Sequence, residues 1–332
     1  MKKIFAILCA VSALSFLHVT AREVTDLNFG WEFNAGDSIW RNVDLPHDFQ
    51  IEQPWVAPDA NESGNMGDQA SNVKSRLSPR AFKEMGKGTY RRTITPDASI
   101  KGKRVLLDFE GIMLVGDVYL NGEHVGKTDY GYLGFEVDVT DKLKYGEPNE
   151  LVVIADTGEP LSSRWYTGGG LYRGVKMVTQ DPDLYIGRHG IYVTTPQISD
   201  EKATIVVQAD VVQRSRDKEL TVLLEITDPN GVTISRDTQT IPVNGKWRNR
   251  EYTLAPVEIP TPALWDCEHP NMYTARVTLL HPDDTEADSA EVPFGIRSLE
   301  YSPEFGLKLN GKKVLLKGIA NHHTLGALGA AA

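Results

Sequence analysis

No stretch of this chain keeps a helical apolar period for ten residues, while short apolar segments punctuated by turn residues recur from one end to the other. That pattern limits the chain to β architectures. In the first half, "YRRTITP", "KRVLLDFEGI", "GDVYLNGEHVG", "GFEVDVT" and "NELVVIAD" carry apolar residues at period two or in short runs. Asn121-Gly122 sits between "DVYL" and "EHVG", the dipeptide that best suits a tight hairpin because both central residues must take positive φ. Many short strands with explicit turns predict a β-sandwich or barrel over residues 22–182.

A second block follows. "ATIVVQADVV", "LTVLLEITDPNG", "NREYTLAPVEI" and "MYTARVTLL" are spaced like the strands of a smaller sandwich over residues 183–297, of immunoglobulin-like size. It lacks the Cys, Trp, Cys signature of antibody domains, so the expectation covers architecture only. From residue 298 to 332, "GLKLNGKKVLLKGIA" reads as strand, Asn310-Gly311 turn, strand. The run Val314 to Ile319 is dense enough to predict a strand buried on both faces, as in a parallel barrel.

The first residues have a different character. Lys2 and Lys3 precede an apolar run, Ile4 to Leu17, too short to span a bilayer comfortably, and "VTA" (Val19, Thr20, Ala21) supplies the small residues of a cleavage site. Residues 1–21 are therefore expected to be a secretory signal peptide and the mature chain to be exported, periplasmic or secreted, with no membrane association after cleavage. Cys267 is then the one cysteine left, which makes neither an intrachain disulfide nor a cysteine metal site. The net charge of −10 argues against a nucleic-acid partner, whose phosphates would be repelled. No metal-ligand spacing, phosphate-binding glycine loop or nucleophile elbow occurs.

Several motifs fall in a fixed order: "LPHDF" (Leu45–Phe49), "GTYRRTI" (Gly88–Ile94), "FEGIMLVGDVYLNGEHVG" (Phe109–Gly126), "GFEVDVTDKLKYGEPNELVVIAD" (Gly134–Asp156), "SRWYTGGGLYRGVKM" (Ser163–Met177), "FGIRS" (Phe294–Ser298) and "LNGKKVLLKGIANHH" (Leu309–His323). The set resembles the family-2 glycoside hydrolases, which include β-galactosidases, β-glucuronidases and β-mannosidases. The resemblance implies a jelly-roll, galactose-binding-like sandwich, then an immunoglobulin-like sandwich, then a catalytic (β/α)8 barrel of which residues 298–332 would be the start. It also implies retaining exo-hydrolysis of a carbohydrate, most closely of the β-galactoside type, with a possible homo-oligomer. A retaining mechanism needs two carboxyls roughly 5–5.5 Å apart, one a general acid/base and one a nucleophile. In the family both lie on barrel strands, so neither is expected within these 332 residues and the chain alone is expected to be inactive. Asn149-Glu150 and Asn61-Glu62 mimic the family's Asn-Glu acid/base dipeptide but fall in a sandwich turn and a polar loop, and are read as structural.

The resemblance further implies that His322 and His323, with Asn321, sit where family members contact the sugar. The family pattern there is Asn-Arg-His-Glu, and Ala320-Asn321-His322-His323 matches it only in part. Arg164, Trp165 and Tyr166 belong to a segment that approaches the barrel mouth, where they either bind sugar or pack at a domain interface around the tight turn Gly168 to Gly170. His47 and Asp48 read as a packing contact of the first domain, and Arg173 as a buried ion-pair partner between domains. No cofactor is expected; family members bind Mg²⁺, Na⁺ or Ca²⁺ in some cases, and no residue here specifies such a site. An alternative function is a stand-alone carbohydrate-binding or assembly module that complements a separate catalytic barrel.

Overall fold

The computed structural model describes residues 22–37, 39–55, 83–158, 166–214, 217–243, 249–320 and 328–331. All its paired strands are antiparallel, except for one isolated parallel bridge between Lys101 and Lys103. The expected signal peptide lies outside the described residues.

Two sheets enclose the first core. One has four strands in the order Glu23–Asp26, Val175–Gln180, Arg104–Phe109, Phe135–Asp138. The other has six, ordered Arg41–Val43, Trp31–Asn34, Lys87–Ile94, Asn149–Asp156, Val115–Leu120, Glu123–Thr128. Alternation drives the arrangement: in Asn149–Asp156 the residues Leu151, Val153 and Ala155 point inward, while the residues between them are more open. Their partners across the gap include Val105, Leu107 and Phe109, and Trp31, Phe33 and Tyr90 complete the same core. The Asn121-Gly122 hairpin forms as expected, with φ of 51° and 81°. Asn149, the Asn of one mimic dipeptide, is fully buried and its side chain bonds the backbone of Lys144 and Glu147. It holds a turn, and has no acid/base geometry. Asn61-Glu62 lies outside the described residues.

The second sandwich pairs Leu184–Ile198 with Lys202–Gln213, against which Asn249–Thr253 and Val257–Pro260 both lie. Facing it are Thr233–Pro242, Glu219–Thr227, Tyr273–Leu280 and Glu286–Phe294 in that order. Ala203, Ile205, Val207, Ala209 and Val211 from one sheet meet Leu220, Val222, Leu224 and Ile226 from the other. A three-stranded sheet, Leu299–Ser302, Gly306–Leu309, Lys312–Lys313, follows.

One expectation fails here. Val314 to Ile319 is not a strand: pairing stops at Lys313, and Leu315, Leu316 and Ile319 are 78%, 75% and 86% exposed. A strand buried on both faces needs a hydrogen-bonded neighbour on each side and layers above and below. Among the described residues one bond, from the Val314 N–H to Leu307 O at 2.9 Å, extends the pairing, and Leu315, Leu316 and Ile319 stay open to solvent, so apolar density alone does not make the strand.

Candidate functional site

The glycine-rich loop that follows Tyr166 and the turn at residues 328–331 meet at one carboxylate, that of Asp48. Leu45–Phe49 runs beside the glycine-rich loop: His47 N–H donates to Leu171 O at 2.8 Å and Phe49 N–H to Gly169 O at 2.9 Å. Asp48 then caps a 3₁₀ turn, Phe49–Glu52, by accepting from the Gln50 N–H at 3.0 Å. That cap aims the carboxylate inward, where it is 3% exposed. Its Oδ1 also accepts from the Gly169 N–H at 2.8 Å; its Oδ2 accepts from the Tyr166 hydroxyl at 2.8 Å and the Ala330 N–H at 2.7 Å. A carboxylate offers about four acceptor positions, and four donors fill them.

The glycines of the loop are dictated by close approach. Gly168 and Gly170 have φ of 75° and 115°, in the region that side chains avoid. A methyl group on Gly168 would sit 2.6 Å from Asp48 Oδ2 and from the Ala330 methyl; one on Gly170 would strike the Tyr90 hydroxyl. The loop therefore lies against its neighbours with no room for a Cβ. Gly170 also exchanges both backbone bonds with Met113, at 2.7 and 2.9 Å.

Burial sets the electrostatics. Tyr166 is 6% exposed, and its hydroxyl is held far above the usual tyrosine range, first by burial and then by the Asp48 carboxylate that it bonds. Tyr90 is raised as well, chiefly by burial. His47 packs against Phe33 and Tyr90, with Nδ1 2.8 Å from the Tyr90 hydroxyl. Burial, helped by the charge of Arg41, lowers its pKa to about 4, so the imidazole is neutral at pH 7. His47 Nε2 lies 3.5 Å from Glu52 Oε1, too far for a hydrogen bond, and the neutral ring forms no ion pair there. Gln50 is fully buried, and neither end of its amide finds a partner among the described residues.

Of the residues expected to contact sugar, only Tyr166 is described. It is buried, with its hydroxyl committed to Asp48. Arg164, Trp165, Asn321, His322 and His323 lie outside the described residues. Arg173 departs from expectation: it is exposed, and instead of an ion pair between domains it reaches the carbonyls of Glu110 and Tyr132, at 3.4 and 3.5 Å, in the first sandwich. Its guanidinium also lies over the Tyr172 ring, 5.0 Å from the ring centre. Sequence reading placed Asp48 in a packing contact but missed its hub role, because three of its four donors come from positions 118, 121 and 282 residues away. Among the described residues no three His, Cys, Asp or Glu side chains group to hold a metal ion. Chemically the hub is a clamp: four donors occupy the acceptor positions of one carboxylate and hold three segments against it.

Two antiparallel sandwiches in tandem, the first carrying this glycine loop, give the fold class, and comparison with known proteins gives the family. The model of glycosyl hydrolases family 2 matches residues 185–297, and that of the glycosyl hydrolase 2 galactose-binding domain-like unit matches residues 77–160. A β-galactosidase from Bacteroides ovatus is 32% identical over 335 residues, covering 97% of this chain and 37% of the relative. A β-glucuronidase from Bacteroides fragilis is 29% identical, over 98% of this chain and 44% of the relative. Among solved structures, a family-2 glycosyl hydrolase from Bacteroides cellulosilyticus superposes with a TM-score of 0.79 at 31% identity, over 93% of this chain and 40% of that one. A β-glycosidase from Bacteroides vulgatus gives 0.78 at 30% identity, over 93% and 38%. The chain belongs to the family-2 glycosyl hydrolases, and spans well under half the length of these relatives.

Proposed function

We propose that this chain is the N-terminal, sugar-binding and immunoglobulin-like portion of an exported retaining exo-β-glycosidase, acting on β-galactoside-type glycans, and that it does not turn over substrate by itself. The observation that carries this reading is one of coverage. The β-galactosidase relative matches 97% of this chain, yet the match takes up only 37% of that relative. The two catalytic carboxylates of a retaining enzyme would come from sequence outside these residues, since the described carboxylates sit on sandwich strands and turns. In the complete enzyme Arg164, Trp165, Tyr166, Asn321, His322 and His323 would line or support one side of the sugar site. Galactoside is preferred over glucuronide on motif resemblance, with both activities named among the relatives.

A second reading, a carbohydrate-binding module working with a separate barrel, draws support from open aromatic rings. Trp55, Tyr130 and Tyr192 are 69%, 56% and 62% exposed, and such faces stack on sugars. Heat on titration with galactosides or larger glycans would favour it.

The test of the main reading is an assay of the purified chain on nitrophenyl β-galactoside and β-glucuronide. It should not exceed background. Turnover that follows the chain through further purification would overturn the reading.

A further inference from the structure

We infer that Asp48 is a positioning residue for the sugar site proposed above: its carboxylate registers the turn at residues 328–331 against the glycine loop that follows Tyr166. The inference rests on that functional reading for its purpose, but its geometry stands separately. Asp48 joins three segments that no sheet connects. Its own loop contributes the Gln50 N–H, the glycine loop contributes the Tyr166 hydroxyl and the Gly169 N–H, and the distant turn contributes the Ala330 N–H.

The seat for that turn is shaped to it. Gly329 has φ of 55°, and a methyl there would lie 2.9 Å from the Tyr166 hydroxyl and 3.0 Å from Asp48 Cγ, so only glycine lets the backbone this close. The Ala330 side chain, 7% exposed, packs into an apolar cluster with Met113, Leu114 and Tyr172. Tyr172 is fixed in turn by donating its hydroxyl to Gly131 O at 2.8 Å. A polar clamp and an apolar socket therefore act on the same residue.

Tyr166 carries the link to the site. It is a non-glycine residue at φ of 31°, a conformation that persists only where the surroundings impose it. The bond to Asp48 is such a constraint. Because the hydroxyl is spent on Asp48 and the ring is buried, Tyr166 serves the site through its backbone: it fixes where the chain enters the glycine loop. One carboxylate thus sets the spacing between the Tyr166 segment and the turn that follows the expected histidines in sequence.

Amide hydrogen exchange on the 332-residue chain tests this without any sugar. In Asp48→Asn the amide nitrogen replaces one acceptor oxygen and faces donors. Exchange at Gly169 and Ala330 should then quicken at least about tenfold, while amides of Tyr273–Leu280 in the second sandwich keep their rates. Tyr166→Phe, a milder change, should quicken exchange in residues 166–170 and leave the second sandwich alone. Unchanged exchange at Ala330 in Asp48→Asn overturns the inference. So does a uniform rise across both sandwiches in both variants, which would make Asp48 a contributor to global stability only. If exchange behaves as expected and the sugar reading fails its own assay, the clamp stands and its purpose does not.

Discussion

His47 shows how a single side chain inherits its chemistry from packing. An imidazole wedged between Phe33 and Tyr90 loses the water that would solvate its charge, so its proton leaves near pH 4. The unfolded chain keeps the ordinary value of 6.5, so between those two pH values the unfolded state binds more protons. Stability therefore falls as pH drops through this window, and His47's share is full above pH 6.5 and gone below pH 4. The integrated effect is on the order of 3 kcal/mol. Replacing His47 with Asn, which keeps a polar group near the Tyr90 hydroxyl, should flatten the loss of unfolding free energy measured by urea denaturation from pH 7 to pH 4. Parallel curves for both proteins would show that His47 does not titrate on unfolding.

Strands that alternate against a core are legible in sequence, and strands that do not are hidden. Glu219–Thr227 reads at once because Leu220, Val222, Leu224 and Ile226 fall on one face. Its neighbour Thr233–Pro242, "TISRDTQTIP", is an edge strand open to solvent along most of its length, and no apolar period marks it. Val314 to Ile319 errs the other way, since its apolar run reads as a buried strand, yet Leu315, Leu316 and Ile319 are open to solvent. The joint between the sandwiches was equally invisible, because it is made by charges far apart in sequence. Asp288, fully buried, accepts from Arg22 Nε and Nη2 at 2.8 and 2.7 Å and from the Ile186 N–H at 2.7 Å. Asp288→Ala leaves the guanidinium and a buried N–H without their acceptor. Loss of a buried partner of this kind costs about 3 kcal/mol once the partial exposure of Arg22 is allowed for. The urea midpoint should drop accordingly; a change under about 0.5 kcal/mol would mean that the joint carries no weight.

At the scale of the molecule, ordered motifs located the family and both sandwiches, because each motif encodes a local device: a hairpin glycine, a capping aspartate, a loop without Cβ atoms. What sequence could not supply was which devices touch. Asp48 and Tyr166 sit in separate motifs and Ala330 lies beyond the last of them, yet Tyr166 and Ala330 both donate to the Asp48 carboxylate. Arg188 and Asp108 at 3.1 Å, and His281 and Asp181 at 3.2 Å, tie the sandwiches together in the same way. On the function proposed above, this chain would be a support that presents its glycine loop to a catalytic part outside these residues. The most direct measurement is hydrolysis of nitrophenyl β-galactoside by a chimera in which this chain replaces the aligned portion of a family-2 β-galactosidase. Turnover by the chimera, with none from the chain alone, is the predicted result. A chimera that folds with both sandwiches intact and shows no hydrolysis would contradict the account.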